Sequence, residues 1–173
     1  MTVNSNYMIR YSFVVALMFL AIAVNAQSVT DTVKHSPIRT LTYTQYQDYL
    51  KGEAGADLAL VAEIHHYPMP ERVLKFKKEL GLSTEQITKL MEINTHMHRL
   101  RVQIGGSIIA NEKTLDLMFA QNTVDNGNLI FYTERHGLYQ GELRNAILQA
   151  CIATRKTLTP EQMNKFDTLQ KPN

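Results

Sequence analysis

The sequence predicts an all-α protein built around two long helices, and three observations lead to this class. A hydroxyl residue followed three positions later by Gln occurs at two sites 76 residues apart, and this arrangement is typical of a helix N-terminus. No proline interrupts residues 84–121, where apolar residues recur at steps of three, four and seven. A second long helical stretch, residues 128–156, follows a short turn signal. The predicted order is short, long, long and short, which describes a four-helix hooked hairpin.

Residues 1–26 have the layout of a secretory signal peptide. Arg10 precedes an uninterrupted apolar run of 12 residues, 13–24, and Ala26 offers a small residue at the cleavage position. The run is well short of the roughly 20 residues that a membrane-spanning helix needs. We therefore expect export to the periplasm and cleavage after Ala26. Cleavage would leave 147 of the 173 residues, enough for one domain with its own core.

The segment after the signal peptide carries only weak helical signals. Residues 27–51 are predicted to be a flexible arm with a short helix at 43–51, which Gly52 would end. A second short helix is predicted for residues 56–64. Prolines disfavour helix before residue 70, and a third helix should begin at Pro70 and end at Gly81.

Ser83 is predicted to cap the first long helix. At about 1.5 Å per residue this helix would be roughly 57 Å long. It could bend at Gly105 and Gly106. Its apolar stripe comprises Leu90, Ile93, Met97, Leu100, Ile104, Ile108, Leu115 and Phe119. Residues 125–127 predict the turn before the second long helix. That helix should direct Leu138, Glu142, Ala146 or Ile147, and Ala150 inward. Thr159 then caps a last helix, and residues 170–173 form a tail.

Composition and motifs narrow the classes of function. The mature chain would contain 17 basic and 16 acidic residues, a balance that argues against a nucleic-acid partner. No serine-hydrolase, zinc-protease, phosphate-loop or paired-cysteine motif is present, so we predict no enzyme and no catalytic residues. Cys151 is the only cysteine, and both a buried inert thiol and an intermolecular disulfide are open to it. Helices this long leave apolar surface that a homodimer would cover.

Several side chains could bind a metal ion, although they could equally be ordinary surface or core groups. Imidazole suits zinc, copper and nickel. Glu92 and His96 are four residues apart on a helix, so both could face one ion, and His65 or His66 could fold over from a loop. The candidate ligands are His65, His66, Glu92, His96 and His136. No cofactor is predicted to be required.

A mixture of apolar and basic side chains predicts a surface that binds unfolded chains, although an ordinary core beneath a solvated basic face would produce part of the same pattern. Adaptable methionine side chains suit such a surface. The candidate client-binding residues are Arg72, Val73, Lys75, Phe76, Lys77, Lys78, Met97, Leu100 and Arg101.

The repeated capping pattern resembles the Spy/CpxP group of bacterial periplasmic proteins, in which an LTxxQ motif occurs twice. Residues 158–162 match the motif, and residues 82–86 carry Ser in place of Thr. The motif residues are Leu82, Ser83, Gln86, Leu158, Thr159 and Gln162. Residues 63–74 also look like the lead-in of exported members described as refolding chaperones or heavy-metal sensors. The resemblance covers an all-α domain of residues 52–169.

The resemblance implies a hooked hairpin that dimerises into a curved cradle and has no catalytic residues. It implies an ATP-independent chaperone of the envelope stress response, acting on unfolded or stressed envelope proteins. The alternative is a heavy-metal sensor or metal-binding resistance protein, using Zn, Cu or Ni and signalling to a membrane-bound partner. The family's sensors carry a His-x-x-x-His pair on one helix and a His-x-x-x-Met pair on another. The predicted helices of this sequence carry neither pair, so the sensor site does not carry over.

Overall fold

A computed structural model describes residues 35–170, and all of the regular structure in this range is helical. The α-helices are α1 Tyr43–Lys51, α2 Leu60–Glu63, α3 Pro70–Lys75, α4 Thr84–Ala120, α5 Asn126–Thr157 and α6 Pro160–Leu169, and a 3₁₀ helix, Ala56–Ala59, precedes α2. The predicted all-α class is therefore confirmed. The predicted signal peptide, the start of the predicted arm and the last three residues lie outside the described range. Within it, no helix combines the length and apolar character that a membrane crossing requires.

The two long helices, α4 with 37 residues and α5 with 32, pack side by side in antiparallel directions. At one end the side-chain amide of Gln86 donates to the carbonyl of Thr157 at 2.9 Å. Near the other end Asn111 Nδ2 donates to the carbonyl of Tyr132 at 3.0 Å. Residues of α4 therefore meet residues of α5 in reverse order, as expected for helices joined by a short loop.

The helix boundaries follow from capping side chains. Helices α1 and α6 have the predicted bounds, and Ser83 caps α4 as predicted. Helix α5 begins earlier than predicted because Asp125 Oδ1 accepts from the amide of Asn128 at 2.8 Å. Residues 126–127, predicted as part of a turn, thus lie in the first turn of α5. Helix α3 ends at Lys75, and hydrogen-bonded turns continue the chain to Gly81, whose φ is 60°.

Two clusters of buried apolar side chains form the core, and α4 contributes to both. The larger cluster lies between α4, α5 and the 3₁₀ helix and contains Ala59, Met69, Met97, Ile104, Ile108, Leu143, Ala146, Ile147, Ala150 and Cys151. The smaller lies where α3 and α6 meet the start of α4 and contains Val73, Leu80, Leu90, Leu158, Met163 and Phe166. Because α4 runs through both, it connects the two ends of the domain.

The described part of the predicted arm is packed against α4. Ile38 is buried, and Arg39 forms an ion pair with Asp116 at 3.4 Å. A Cβ placed on Gly105 would lie only 2.3 Å from the carbonyl oxygen of Tyr49. The absence of a Cβ at Gly105 therefore lets the backbone of α1 approach α4, whereas the sequence predicted only a possible bend at this residue.

The inward face of α5 is displaced from the predicted one. Leu138 is 59% exposed and Glu142 is also exposed, so the prediction that both point inward was wrong. The buried residues are Leu143, Ala146, Ile147, Ala150, Cys151 and Thr154. Cys151 is fully buried, and burial raises the pKa of its thiol to about 12. An intermolecular disulfide is therefore out of reach while the domain is folded.

Candidate functional site

An open groove of about 650 Å³ runs between α4 and α5. The N-terminal segment packs on one side of α4, where Gly52 approaches His98 and Val102. The groove lies on the opposite side of this helix, along Ile93, His96 and Leu100. No described residue between 35 and 170 fills it, so this side of the helix pair is accessible to a ligand.

The groove has an apolar floor and a polar rim. Its floor consists of Ile93, Leu100, Ile104, Ala146, Ala150 and Ala153, and its rim of Lys89, Glu92, His96, Gln103, Glu142, Asn145 and Gln149. The three alanines on α5 face larger side chains on α4, and their small size leaves the space between the helices unfilled. Such a surface binds apolar groups by excluding water, which is a non-directional interaction that tolerates many sequences.

The two motif glutamines form a reciprocal amide pair at one end of the helix pair. Gln86 Nε2 donates to Gln162 Oε1 at 2.8 Å, and Gln162 Nε2 donates to Gln86 Oε1 at 3.0 Å. Each Oε1 also accepts from the amide of its own N-cap residue, Ser83 or Thr159, at 3.0 Å. Each motif therefore caps its helix and also joins the start of α4 to the start of α6.

A third copy of the same pattern was missed by the sequence analysis. Leu41, Thr42 and Gln45 match the LTxxQ spacing, and Thr42 and Gln45 form a complete capping box at the start of α1. The signal was present in the sequence, but the surrounding segment was interpreted as a flexible arm. Gln45 is exposed, and its side-chain oxygen accepts hydrogen bonds from the backbone amide and the hydroxyl of Thr42.

Three of the predicted client-binding residues belong to the core. Val73 and Met97 are buried, and Arg101 is only 7% exposed. Arg101 Nε donates to the carbonyl of Ala54 at 3.1 Å, and its Nη1 lies 3.9 Å from Glu71 Oε1. Burial lowers the pKa of Arg101, and the nearby carboxylates partly oppose this shift. These three predictions were wrong because the residues face neighbouring helices rather than solvent.

The other six predicted client-binding residues differ in their burial and in the residues they contact. Arg72 is half-buried and bonds to Glu63 at 2.5 Å and to Gln170. Phe76 packs edge-to-face on Phe166, with ring centroids 6.0 Å apart. The exposed members are Lys75, Lys77 and Lys78. Of the nine residues, only Leu100 lines the groove.

The predicted metal ligands lie in separate places. His66 Nδ1 lies 2.7 Å from Asp167 Oδ2 on α6, and His136 Nδ1 lies 3.0 Å from Glu112 Oε1 on α4. Glu92 and His96 lie together on the rim of the groove, whereas His65 is exposed in the loop before α3.

His66, held at α6, does not fold over toward the Glu92–His96 pair. Residues 35–170 contain no group of three or more His, Cys, Asp or Glu side chains placed to hold a metal ion.

No protein-family profile, curated protein or solved structure matches this chain, so its function has to be argued from the geometry of the groove.

Proposed function

We propose that this protein is an ATP-independent chaperone that holds apolar segments of unfolded proteins in the groove between α4 and α5. The observation that carries the proposal is the open apolar floor of that groove, lined by Ile93, Leu100, Ala150 and Ala153 among others. A concave surface with an apolar floor and a few polar groups at its edge is the usual form of a binding site. The resemblance to the Spy/CpxP group points in the same direction.

Binding in such a groove should be weak and reversible. Burial of apolar surface contributes about 25 cal/mol per Å². The loss of freedom on association and the ordering of a flexible client offset much of this gain. A client segment would therefore be held long enough to prevent aggregation and then released without nucleotide hydrolysis. The rim provides polar and charged groups that keep the unoccupied groove hydrated.

The proposed place of action is the bacterial envelope, where an exported holding chaperone would meet unfolded proteins without access to ATP. This part rests on Arg10, the apolar run of residues 13–24 and Ala26. N-terminal sequencing of protein recovered from an envelope fraction should give Gln27 as the first residue. An intact Met1 in protein from the cytoplasmic fraction would contradict export.

Light scattering of a chemically denatured client, diluted into buffer without nucleotide, tests the proposal. The wild-type protein at a near-equal molar ratio should suppress aggregation, and Leu100→Asp should weaken suppression because it places a carboxylate in the groove floor. Leu50→Asp is the matched control, since Leu50 is an exposed leucine on α1 outside the groove. Circular dichroism should show that both variants keep their helical content.

Two results would contradict the proposal. One is unchanged client aggregation in the presence of wild-type protein. The other is equal activity of the two variants when both are folded, because the groove would then not be the binding surface. If Leu100→Asp unfolds, Ala153→Ser, which adds one polar atom to the floor, replaces it in the comparison.

Metal sensing is the second candidate, and it is favoured only by the position of Glu92 and His96 one helical turn apart on the groove rim. Calorimetric titration with zinc, copper and nickel tests this function. A site should lose affinity in the double variant Glu92→Ala/His96→Ala. Binding no tighter than about millimolar, roughly −4 kcal/mol, would exclude a sensor role.

A further inference from the structure

A second open pocket, of about 320 Å³, lies between α4 and α5 on the loop side of the groove. Its α4 wall contains Ser107, Asn111 and Thr114, and its α5 wall contains Phe131, Arg135 and Tyr139. We call it the loop-end pocket, because these residues are closer to the loop of residues 121–125 than the groove residues are. At 100° per residue the three α4 residues lie within an arc of about 60°, so they share one face of the helix.

The α4 wall offers oxygen atoms that can accept hydrogen bonds. Asn111 is only 5% exposed, and its Nδ2 donates to the carbonyl of Tyr132 at 3.0 Å, whereas its Oδ1 has no hydrogen-bond partner among residues 35–170. The hydroxyls of Ser107 and Thr114 donate to the backbone carbonyls four residues earlier, at 3.4 and 3.0 Å, so their oxygens remain free to accept. Because a buried amide oxygen without a donor is unfavourable, the α4 wall favours a ligand that brings an N–H.

The α5 wall offers hydrogen-bond donors that aromatic rings hold in place. The guanidinium of Arg135 lies over the rings of Phe131 and Tyr139, 5.1 and 5.4 Å from their centroids. Its Nε donates to the hydroxyl oxygen of Tyr139 at 3.1 Å, and its Nη2 donates to the same oxygen. No carboxylate in the range 35–170 pairs with Arg135, so Nη1 and the Tyr139 hydroxyl hydrogen can bind an anion. A guanidinium fixed in this way loses little conformational freedom when it binds a carboxylate.

We propose that the loop-end pocket binds the C-terminal residue of a polypeptide chain through its carboxylate and its backbone N–H. The carboxylate accepts from Arg135 Nη1 and from the hydroxyl of Tyr139. The N–H of the same residue donates to Asn111 Oδ1, and its side chain rests against the ring of Phe131. No acidic side chain lines the pocket, so the ammonium of a free amino acid would lose water without gaining an opposite charge. An uncharged amide N–H therefore fits the α4 wall better.

The position of the groove supports a polypeptide as the source of this carboxylate. Gln103 lines the groove, and its carbonyl accepts from the hydroxyl of Ser107 in the pocket. On α5, Glu142 of the groove lies three residues from Tyr139 of the pocket. The two cavities therefore adjoin, and the residues that precede a bound C-terminus can continue into the groove. This continuation rests on the proposed function, whereas occupancy of the loop-end pocket does not.

NMR titration of the isotope-labelled protein with N-acetyl-leucine tests the pocket alone, because this probe has the carboxylate and the N–H but no preceding residues. The backbone amide signals of residues 107–114 and 131–139 should shift. N-acetyl-leucinamide, which lacks the carboxylate, should bind at least about tenfold more weakly. The ester analogue, in which oxygen replaces the N–H, should bind about three- to tenfold more weakly, since Asn111 Oδ1 then stays without a donor.

Arg135→Met tests the role of the guanidinium, because it keeps an unbranched side chain against the two rings and removes the donors. The affinity for N-acetyl-leucine should fall to that of the amide. Arg144→Met is the matched control, since Arg144 is an exposed arginine on α5 that lines neither the groove nor the loop-end pocket. The control should leave the affinity unchanged, and circular dichroism should show equal helical content in both variants.

Equal affinity for N-acetyl-leucine and its amide, or signal changes confined to other parts of the protein, would overturn the proposal, and this comparison needs no variant. Folded Arg135→Met protein that binds the acid as tightly as wild type would also overturn it.

A longer N-acetylated peptide, in which several alanines and valines precede the leucine, tests the continuation into the groove. It should bind more tightly than N-acetyl-leucine, and Leu100→Asp should remove only this gain. Absence of the gain would overturn a polypeptide as the source of the carboxylate. Failure of the aggregation test would not affect the binding of N-acetyl-leucine, so the two proposals can fail separately.

Discussion

Arg101 was predicted to bind clients because it is a basic residue beside the apolar Leu100, yet it is buried in the structure. Arg101→Met should lower the free energy of unfolding by about 1–3 kcal/mol, because it leaves the Ala54 carbonyl and Glu71 without their partner. Arg99→Met on the same helix should change it by less than about 0.5 kcal/mol, since Arg99 is exposed. Urea denaturation followed by circular dichroism measures both. Similar values for the two variants would contradict a structural role for Arg101.

Adjacent glycines in α4 should respond in opposite ways to the same substitution. Gly105→Ala introduces a Cβ that would lie 2.3 Å from Tyr49 O, so α1 must move, and we expect a loss of about 1–3 kcal/mol in stability. Gly106→Ala should add about 0.5–1 kcal/mol, because its Cβ meets nothing and alanine favours helix. Thermal denaturation of the two variants distinguishes them. A stabilising Gly105→Ala would show that α1 does not pack closely at this point.

The buried thiol of Cys151 should be unreactive in the folded protein. Its pKa of about 12, raised from 9.0 mainly by burial, favours the neutral thiol in the fold. This contribution to stability is complete below about pH 9 and is lost as pH rises from 9 toward 12, because the unfolded thiol ionises first. A thiol-specific reagent at pH 8 should label the protein in urea and leave it unlabelled in buffer. Fast labelling in buffer would mean that the C-terminal half of α5 opens readily.

At the scale of secondary-structure elements, the reciprocal glutamine pair should couple α4 to α6. Gln86→Ala and Gln162→Ala should show a coupling energy of about 0.5–3 kcal/mol in a double-mutant cycle, because each removes the other's partner. Gln45→Ala is the control, since Gln45 has the same capping role at α1 without a bond to another motif glutamine. Additive losses for Gln86 and Gln162 would show that the two amides act only as separate caps.

Helix boundaries were predictable where a capping side chain lies next to the helix it starts. Thr159 and Pro160 predicted the start of α6, and Gly52 predicted the end of α1. The same local information was available at Asp125, but residues 126–127 were interpreted as part of a turn because Asn-Gly favours turns. The capping bond from Asp125 to Asn128 favours the helix instead.

Burial was less predictable, because it depends on which element packs against each face. In the predicted apolar stripe of α4, Leu90, Ile104 and Ile108 are buried, as is Met97, which was also predicted to bind clients, whereas Phe119 is exposed. Nothing local to Arg101 shows that Ala54 and Glu71 will cover it. Likewise, the groove exists because the N-terminal segment packs on the other side of α4, and this segment was expected to be flexible. Long-range packing therefore accounts for most of the differences between the predicted and the observed surroundings of the residues at the candidate site.

At the scale of the whole molecule, α4 links two core clusters that share no buried residue. The end containing Leu90, Leu158 and Phe166 is held by apolar packing and by the paired motif glutamines. The central part around Met97, Ile147 and Cys151 is covered by the N-terminal segment on one side and borders the open groove on the other. The floor of the groove shares Ile104, Ala146 and Ala150 with this cluster, so the surface proposed to bind clients is also part of what stabilises the fold.

The paired glutamines also bear on how fast the protein unfolds. Gln86 and Gln162 are 76 residues apart, so their bond closes a long loop and should form only after α4 and α5 have come together. Interactions that form after the folding transition state slow unfolding and leave the folding rate nearly unchanged. Stopped-flow measurements on Gln162→Ala should therefore give faster unfolding at an unaltered refolding rate, whereas slower refolding would place the contact early. The repeated motif would then determine the lifetime of the native state rather than the speed at which it is reached.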